Sequence, residues 1–578
     1  MTRRIISFCI LSFLLCFFYG CGKQNTVDYS SWLPDESEIN NVENNQDNKL
    51  LNNSNDDIKF ITDESSATGY YTTEYLVDAL LNEDSAKLAD GLWQNQISNG
   101  IYSVTDDELN QNMLTFYVST SEGDDNNLGL SPSEPKKTFS QFSEIANITV
   151  LLKCGDVFEL DKTFKVGSGC IYATYGQGPR PVVSFYEKLE VEFTQLPEYE
   201  NVWKASLQDL PRIYNTYENK DNCNIGQLVI NGVVNWKRVV VSSSEAKTFD
   251  FPGSLVERAD GSWTVDWLQS LLYVYSESNP NEQEIYAAPD GHGIVFNKTR
   301  NTVLKGWEIV GAGAHGCNIV DGEDVSITNC YFHNIGGSIH LSAGIRYGNA
   351  VQVWDGGINV TVQYNYADWV FDSCYTNQGS SSSCYGENII FANNIGGHSF
   401  TGIETWGDRY SDIPFNNIVY RDNIIFHMCD ITDPDKHMFS SSNGKLIAKL
   451  PEEPKYVSYR GGYTYNQMTC LNTSNSWENG ELKILNNVFW NTNRLLILIS
   501  DITYGYPDMN NNLFYSETTS EDACLFRYTD DSDTICYVNS LAVPGNKESI
   551  CLINSGYDIT SDLNRLKENM KKIIEKSD

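Results

Sequence analysis

From Thr115 onward the chain runs in short stretches of alternating apolar and polar residues, separated by Gly, Asn, Asp and Ser. Alternation marks half-buried strands, and turn residues this frequent keep each strand to a few residues. The stretches repeat. Residues 303–308, 325–330, 360–365, 389–394, 418–423 and 482–487 superimpose, and Asn512 with Leu513 and Phe514 begins a seventh unit. The sixth positions are Glu308, Cys330, Asn365, Asn394, Asn423 and Asn487, spaced by 22, 35, 29, 29 and 64 residues. Such a repeat predicts an all-β solenoid, a right-handed parallel β-helix, in which equivalent residues stack about 4.8 Å apart from coil to coil. Stacked inward Asn side chains would bond along the axis, and Asn also tolerates a left-handed bend at a corner. Leucine-rich repeats are shorter and Leu-dominated, and propeller blades would carry Trp-Asp or Gly-His marks.

Other segments break the pattern. Residues 201–290 contain Val229–Ile230, Trp263–Asp266 and Leu272–Tyr275 in hairpin-like runs, which predict an inserted β-sandwich. Between Tyr70 and Ile97, Leu76, Ala79, Leu80, Leu88 and Leu92 recur at helical spacing. Leu563 to Ile574 reads as a charged terminal helix. The expected organisation is a leader over 1–20, a polar tether with a helix over 21–112, and β-helix over 113–200. The sandwich over 201–290 and the main β-helix over 291–556 follow, then a helix over 557–578. The excursion between Asn423 and Leu482, rich in Tyr, either covers a sheet or walls a cleft.

The leader sets the expected compartment. Arg3 and Arg4 precede an apolar run from Ile5 to Phe18, shorter than the ~20 residues a bilayer span needs and laid out as a signal peptide. Cys21, directly after Gly20, resembles the acylated cysteine of bacterial lipoproteins. Export follows, with Cys21 lipidated and the membrane touched through that anchor. A plain secretion signal is the alternative. The stretch Asn40–Asp57 is too polar to form a core. Across 578 residues the formal charge is −36, with pI near 4.5. A surface this acidic repels phosphate backbones, which excludes nucleic acid as a partner. Twelve of the 15 Cys lie past the leader without a C-x-x-C pair or zinc-like Cys–His spacing. No metal or other cofactor is expected, with Ca²⁺ the one ion left open, and the chain is expected to be a monomer.

Three further stretches carry a resemblance. Tyr117–Ser119 with Pro135–Phe139, Leu152–Phe158, and Tyr175–Val182 look like the pectate-lyase-like superfamily of secreted β-helix proteins. With the insert, the chain is similar to the carbohydrate-active branch that holds β-helical xylosidases, xylanases and fucosidases. The resemblance covers about residues 115 to 555 and implies a polysaccharide or oligosaccharide partner. It says more about fold than reaction, since one fold hosts many chemistries.

A β-helix builds its site from outward side chains on adjacent coils. Alternation puts Val351, Val353, Ile403 and Thr405 inside, so Gln352, Thr376 and Glu404 form an outward row with Trp354, Gln378 and Trp406 beside it. Trp faces next to amides suit pyranose rings and their hydroxyls. Glu404, between apolar residues, is the candidate general acid. Ten residues separate Asn394 from Glu404 and Asn423 from Asp433, which would stack Asp433 on Glu404 at about 5 Å, the spacing of a retaining pair. The resemblance implies instead a nucleophilic Asp and an acid/base Glu on successive coils, which places Asp372 beside Glu404. Asp372 nevertheless lies four residues before Thr376. Asp355 and Asp408, at strand ends, are weaker candidates.

A lyase or epimerase acting on a uronate would need a base and a cation, for which Arg346 and Arg409 are candidates, with His398, His427 and Tyr410 assisting. A non-catalytic glycan-binding surface protein would need the Trp and Gln row alone. Hydrolysis by paired carboxylates leads among these readings.

Overall fold

The computed structural model describes residues 72–98, 113–208, 224–236, 238, 246–256, 258, 260–340, 345–379, 385–406 and 415–428, and beyond 468 the strands and helix named below. The leader, Cys21 and the tether lie outside the described residues.

The alternating stretches close into coils with three faces. On the first face, strands including Ile294–Asn297, Ser373–Gln378, Thr401–Trp406, Thr469–Ser474 and Leu495–Ile499 follow one another. The second face holds Arg300–Lys305, Gly386–Ala392, Phe415–Arg421, Leu482–Leu485 and Asp508–Asn510. The third runs from Glu308–Val310 through Tyr331–Ile335, Tyr366–Val370, Ile395–Gly397 and Ile424–Phe426 to Ile550–Ile553. Cys317–Thr328 and Val351–Gln363 serve the first two faces at once, bending at Asp321 and Asp355, whose φ values are 53° and 55°. Pairing between these coils is parallel, and the connections make a right-handed parallel β-helix. Leu114–Val118 and Ile148–Lys153 add to it before the insert, and Ile171–Tyr175 pairs directly with Arg300–Lys305 after it. The coils before and after the insert therefore form one stack.

The insert contains two four-stranded antiparallel sheets, from Glu187–Lys188 to Ile285–Pro289. Val202, Leu228, Trp263, Leu272 and Ala287 close its own core.

Inside the coils, the Asn ladder is continuous. Asn365, Asn394, Asn423, Asn487 and Asn512 stack, each side-chain Oδ1 accepting the backbone N–H of the preceding ladder residue at 2.9–3.0 Å. Each amide also donates to a carbonyl one coil back, as Asn394 does to Val362 at 2.9 Å. Two expectations need correcting. The left-handed residue is not the ladder Asn but the one before it: Asn329, Tyr364, Asn393, Asp422, Asn486 and Asn511 have φ of 55–58°. Asn is thus needed at the ladder for its amide, and the bend falls to its neighbour. The first repeat is also shifted by one residue, because Thr302 pairs with Val325. Trp307, rather than Glu308, holds the ladder position, and its indole N–H donates to Ala173 O.

Helices α1 (Thr73–Leu81) and α2 (Ser85–Ser98) form a hairpin, and α3 is Leu563–Glu575. Leu76, Leu80, Leu88, Leu566 and Met570 pack on Tyr366, Ile424 and Trp490 of the third face. The hydrophobic alternation of that face leaves an apolar outer surface, which the helices remove from water. At the α1–α2 turn, Glu83 reaches His398 Nε2 at 3.7 Å and His427 Nδ1 at 3.5 Å. His398 is 2% exposed, bonds Asp368 Oδ1 at 2.7 Å and stacks on Trp369. Burial lowers the imidazole pKa, but Asp368 and Glu83 outweigh it and bring it up to about 9 from 6.5.

A folded pKa above the unfolded one stabilises the protein below pH 6.5, and that contribution is lost as pH rises through about 9. The urea midpoint is expected to fall between pH 6.5 and 9, at ~1.4 kcal/mol per pKa unit. His398→Gln should flatten this dependence. An unchanged slope in the variant would remove His398 as its source.

Candidate active site

The first face gathers the polar residues. Val351, Val353, Tyr375 and Ile403 belong to the core, so Gln352, Thr376 and Glu404 alternate outward. They stand in register on three successive coils. Asn318 precedes the row and Asn472 follows it. Two residues along, Trp354, Gln378 and Trp406 are likewise in register. Trp354 is half-buried, while the Trp406 side chain lies outside the described residues.

Glu404 is held from several sides. Its Oε2 accepts hydrogen bonds from Gln378 Nε2 at 2.6 Å and from Ser373 Oγ at 2.9 Å. From inside the coil, the Tyr420 hydroxyl donates to the Glu404 carbonyl at 3.1 Å, which fixes the strand beneath the side chain. Donors aimed at a carboxylate favour its ionised form and oppose the effect of burial, here 5% exposure. Between Gln352 and Glu404, the Thr376 hydroxyl is buried without a hydrogen-bond partner among the described residues.

Asp372 bridges neighbouring coils through its backbone, donating to Gly348 O and accepting from Thr401 N–H, both at 2.9 Å. It directly precedes Ser373. Counted along the strand it is far from Glu404, yet the Glu404 carboxylate leans back to the Ser373 hydroxyl. That reach brings Glu404 towards the Asp372 end of the strand.

The other expectations fare differently. Opposite Glu404 on the next coil stands Asn472, so the ten-residue count that put Asp433 there fails. Asp433 itself, like Asp408, Arg409 and Tyr410, lies outside the described residues. Arg346 is not on the cleft face. It is 1% exposed, with its guanidinium donating to Gly337 O at 2.8 Å and Gly226 O at 3.3 Å and lying 4.0 Å from the Phe371 ring centre. Its charge is placed where the insert meets the coils, donating to backbone carbonyls of both. His398 and His427 belong to the third face, under the helices. Asp355 sits at the bend of a strand. Among the described residues no three His, Cys, Asp or Glu side chains gather to hold a metal ion.

Sequence reasoning missed Ser373 and Asn349. A signal existed: a polar residue stands two before an inward residue on four successive first-face strands, at His292, His315, Asn349 and Ser373.

No family model matches the sequence, and no curated protein does. Solved structures do align. XylC in complex with xylose shares 10% identity over 77% of this chain and 76% of its own, with a TM-score of 0.41. The lacto-N-biosidase of family GH136 from Eubacterium ramulus shares 11% over 95% and 85%, with a TM-score of 0.32. Pectate lyase Pel9A shares 12% over 78% and 84%, with a TM-score of 0.32. These structural neighbours are carbohydrate-active enzymes of both hydrolase and lyase type. At such identities the reaction has to be argued from the residues of the face itself.

Proposed function

We propose that this chain is an exported, lipid-anchored glycoside hydrolase that cleaves a polysaccharide with the carboxyl groups of Glu404 and Asp372. The observation that carries the reading is the convergence of Ser373 Oγ and Gln378 Nε2 on one oxygen of Glu404, with Asp372 next to Ser373 in the chain. A glycosidase needs two carboxyl groups flanking the scissile bond, one ionised as nucleophile or base and one able to give a proton. The donors on Glu404 suit the ionised role, the reverse of the general-acid role expected for it from its apolar sequence neighbours, which leaves the proton to Asp372. Gln352 and Trp354 supply an amide and an aromatic face for the sugar. A net charge of −36 favours a neutral or weakly charged glycan over a polyuronate. Cys21 would carry the lipid, holding the enzyme at the cell surface.

The test is the nature of the product. The full chain, incubated with a panel of plant and host glycans, is expected to release reducing ends without new absorbance near 235 nm. Absorbance at that wavelength would mean elimination and overturn hydrolysis. Glycan binding with no product would make the protein an adhesin.

A further inference from the structure

The edge of the first face carries a second ladder, distinct from the Asn ladder inside the coils. His315 N–H donates to His292 Nδ1 at 3.4 Å, Asn349 N–H to His315 Nδ1 at 2.9 Å, and Ser373 N–H to Asn349 Oδ1 at 2.9 Å. In each case the side chain of one coil accepts the backbone N–H of the next, and the two imidazoles stack 4.8 Å apart. The ladder ends on Ser373, whose hydroxyl donates to Glu404. Asn349 is its node. Besides its two ladder bonds, its Nδ2 donates to Gln352 Oε1, and Gln352 Nε2 donates to Asn318 Oδ1 at 3.3 Å.

A backbone N–H can only donate, so Nδ1 of both histidines must be unprotonated. The two rings therefore act as fixed acceptors, each in the tautomer with its proton on Nε2. Asn349, 1% exposed, keeps one orientation because its oxygen faces an N–H and its nitrogen faces an oxygen. Fully satisfied buried networks of this sort hold their members in one geometry.

We propose that Asn349 is a positioning residue for the reaction: through the Ser373 backbone it sets the hydroxyl that holds Glu404, and through its amide it sets Gln352. The inference rests on Glu404 acting as assigned above. Asn349 touches neither Glu404 nor, on this reading, the reacting atoms. Its effect reaches the site through Ser373 and Gln352, and the histidine steps set Asn349 in turn.

The test compares Ser373→Ala, Asn349→Ala and the double variant in the full chain. Ser373→Ala removes one charge-assisted bond and is expected to lower kcat about tenfold with KM changed less than about threefold, and to move the Glu404 limb of the pH–rate profile upward. Asn349→Ala is expected to move kcat and the limb in the same direction. The double variant should lose less than the product of the two single losses, since they share the Ser373 step while the Gln352 step is separate. Hydrogen–deuterium exchange of the peptide carrying the Ser373 N–H reads the ladder without reference to activity, and should quicken at least about tenfold in Asn349→Ala.

Unchanged exchange in Asn349→Ala would overturn the ladder itself. Faster exchange with an unmoved pH limb would overturn its positioning role. Should Asn349→Ala fail to fold, the Ser373→Ala profile still decides the last step. Full activity in Glu404→Gln with exchange still quickened would instead overturn the assignment of Glu404 and leave the ladder standing.

Discussion

Glu404→Gln is expected to lower glycan turnover by about 10²–10⁴-fold while leaving the fold intact. The substitution is isosteric. The amide oxygen can accept the bonds that Ser373 Oγ and Gln378 Nε2 now give to Oε2, and the Tyr420 bond to the backbone carbonyl does not involve the side chain. What disappears is the ability to carry negative charge or exchange a proton, which paired-carboxylate hydrolysis requires. Thermal unfolding should stay within a few degrees of the parent, because the Ser373 and Gln378 donors both keep an acceptor. Initial rates on the best glycan of the panel, with unfolding measured on the same samples, are the check. Activity within a fewfold of the parent would remove Glu404 from the chemistry.

Asn394→Ala should have the largest effect on stability. The Asn394 side chain accepts from Asn365 N–H at 3.0 Å and Asn365 Nδ2 at 3.1 Å, and it donates to Val362 O at 2.9 Å and Asn423 Oδ1 at 3.1 Å. Alanine keeps none of these bonds. It leaves the buried Asn365 N–H without its acceptor, at about 1–3 kcal/mol, and removes three further bonds at about 1 kcal/mol each, so a loss of about 3 kcal/mol or more is expected. Coils touch only their neighbours, so the damage should concentrate around the coils of Asn365, Asn394 and Asn423. Asn388→Gly is the control. Asn388 belongs to an exposed ladder at another corner, bonding Asn359 and Asn417, and its φ is 55°. Glycine takes that conformation freely, and the change should cost less than about 1 kcal/mol. Urea midpoints for the two variants decide the point. Equal, small losses would show that the inner ladder does not bear on stability.

The coil architecture was readable because its causes are local. Alternation assigns each residue to the inside or the outside, and a recurring Asn marks the same corner from Asn365 to Asn512, so the coils of residues 303–512 superimpose in the sequence. The row Gln352, Thr376 and Glu404 followed from the same rule, and the pairing places it in register. Errors arose where the count passed through an irregular segment. Trp307 takes the position read for Glu308 because the first repeat slips by one residue. Asn472 stands where Asp433 was counted because the chain between Asn423 and Leu482 does not return to the first face at the usual interval.

Arg346 shows a different limit. Its sequence neighbours, Ile345 and Tyr347, resemble those of many strand residues, and nothing nearby indicates that its guanidinium meets Gly226, 120 residues earlier. The same holds for Ser373 and Glu404, which are 31 residues apart, and for His398 and Glu83, which meet across the helix hairpin.

Periodicity by itself therefore determined the solenoid, the inward and outward faces, and the residues that share a row, because each depends on backbone geometry that repeats every two residues and every coil. The tertiary structure alone decided which coil follows which after a long excursion, how far a side chain leans along its strand, and which polar groups are already spent on one another. Those outcomes depend on loop lengths and on contacts between distant segments, and neither leaves a periodic trace in the chain.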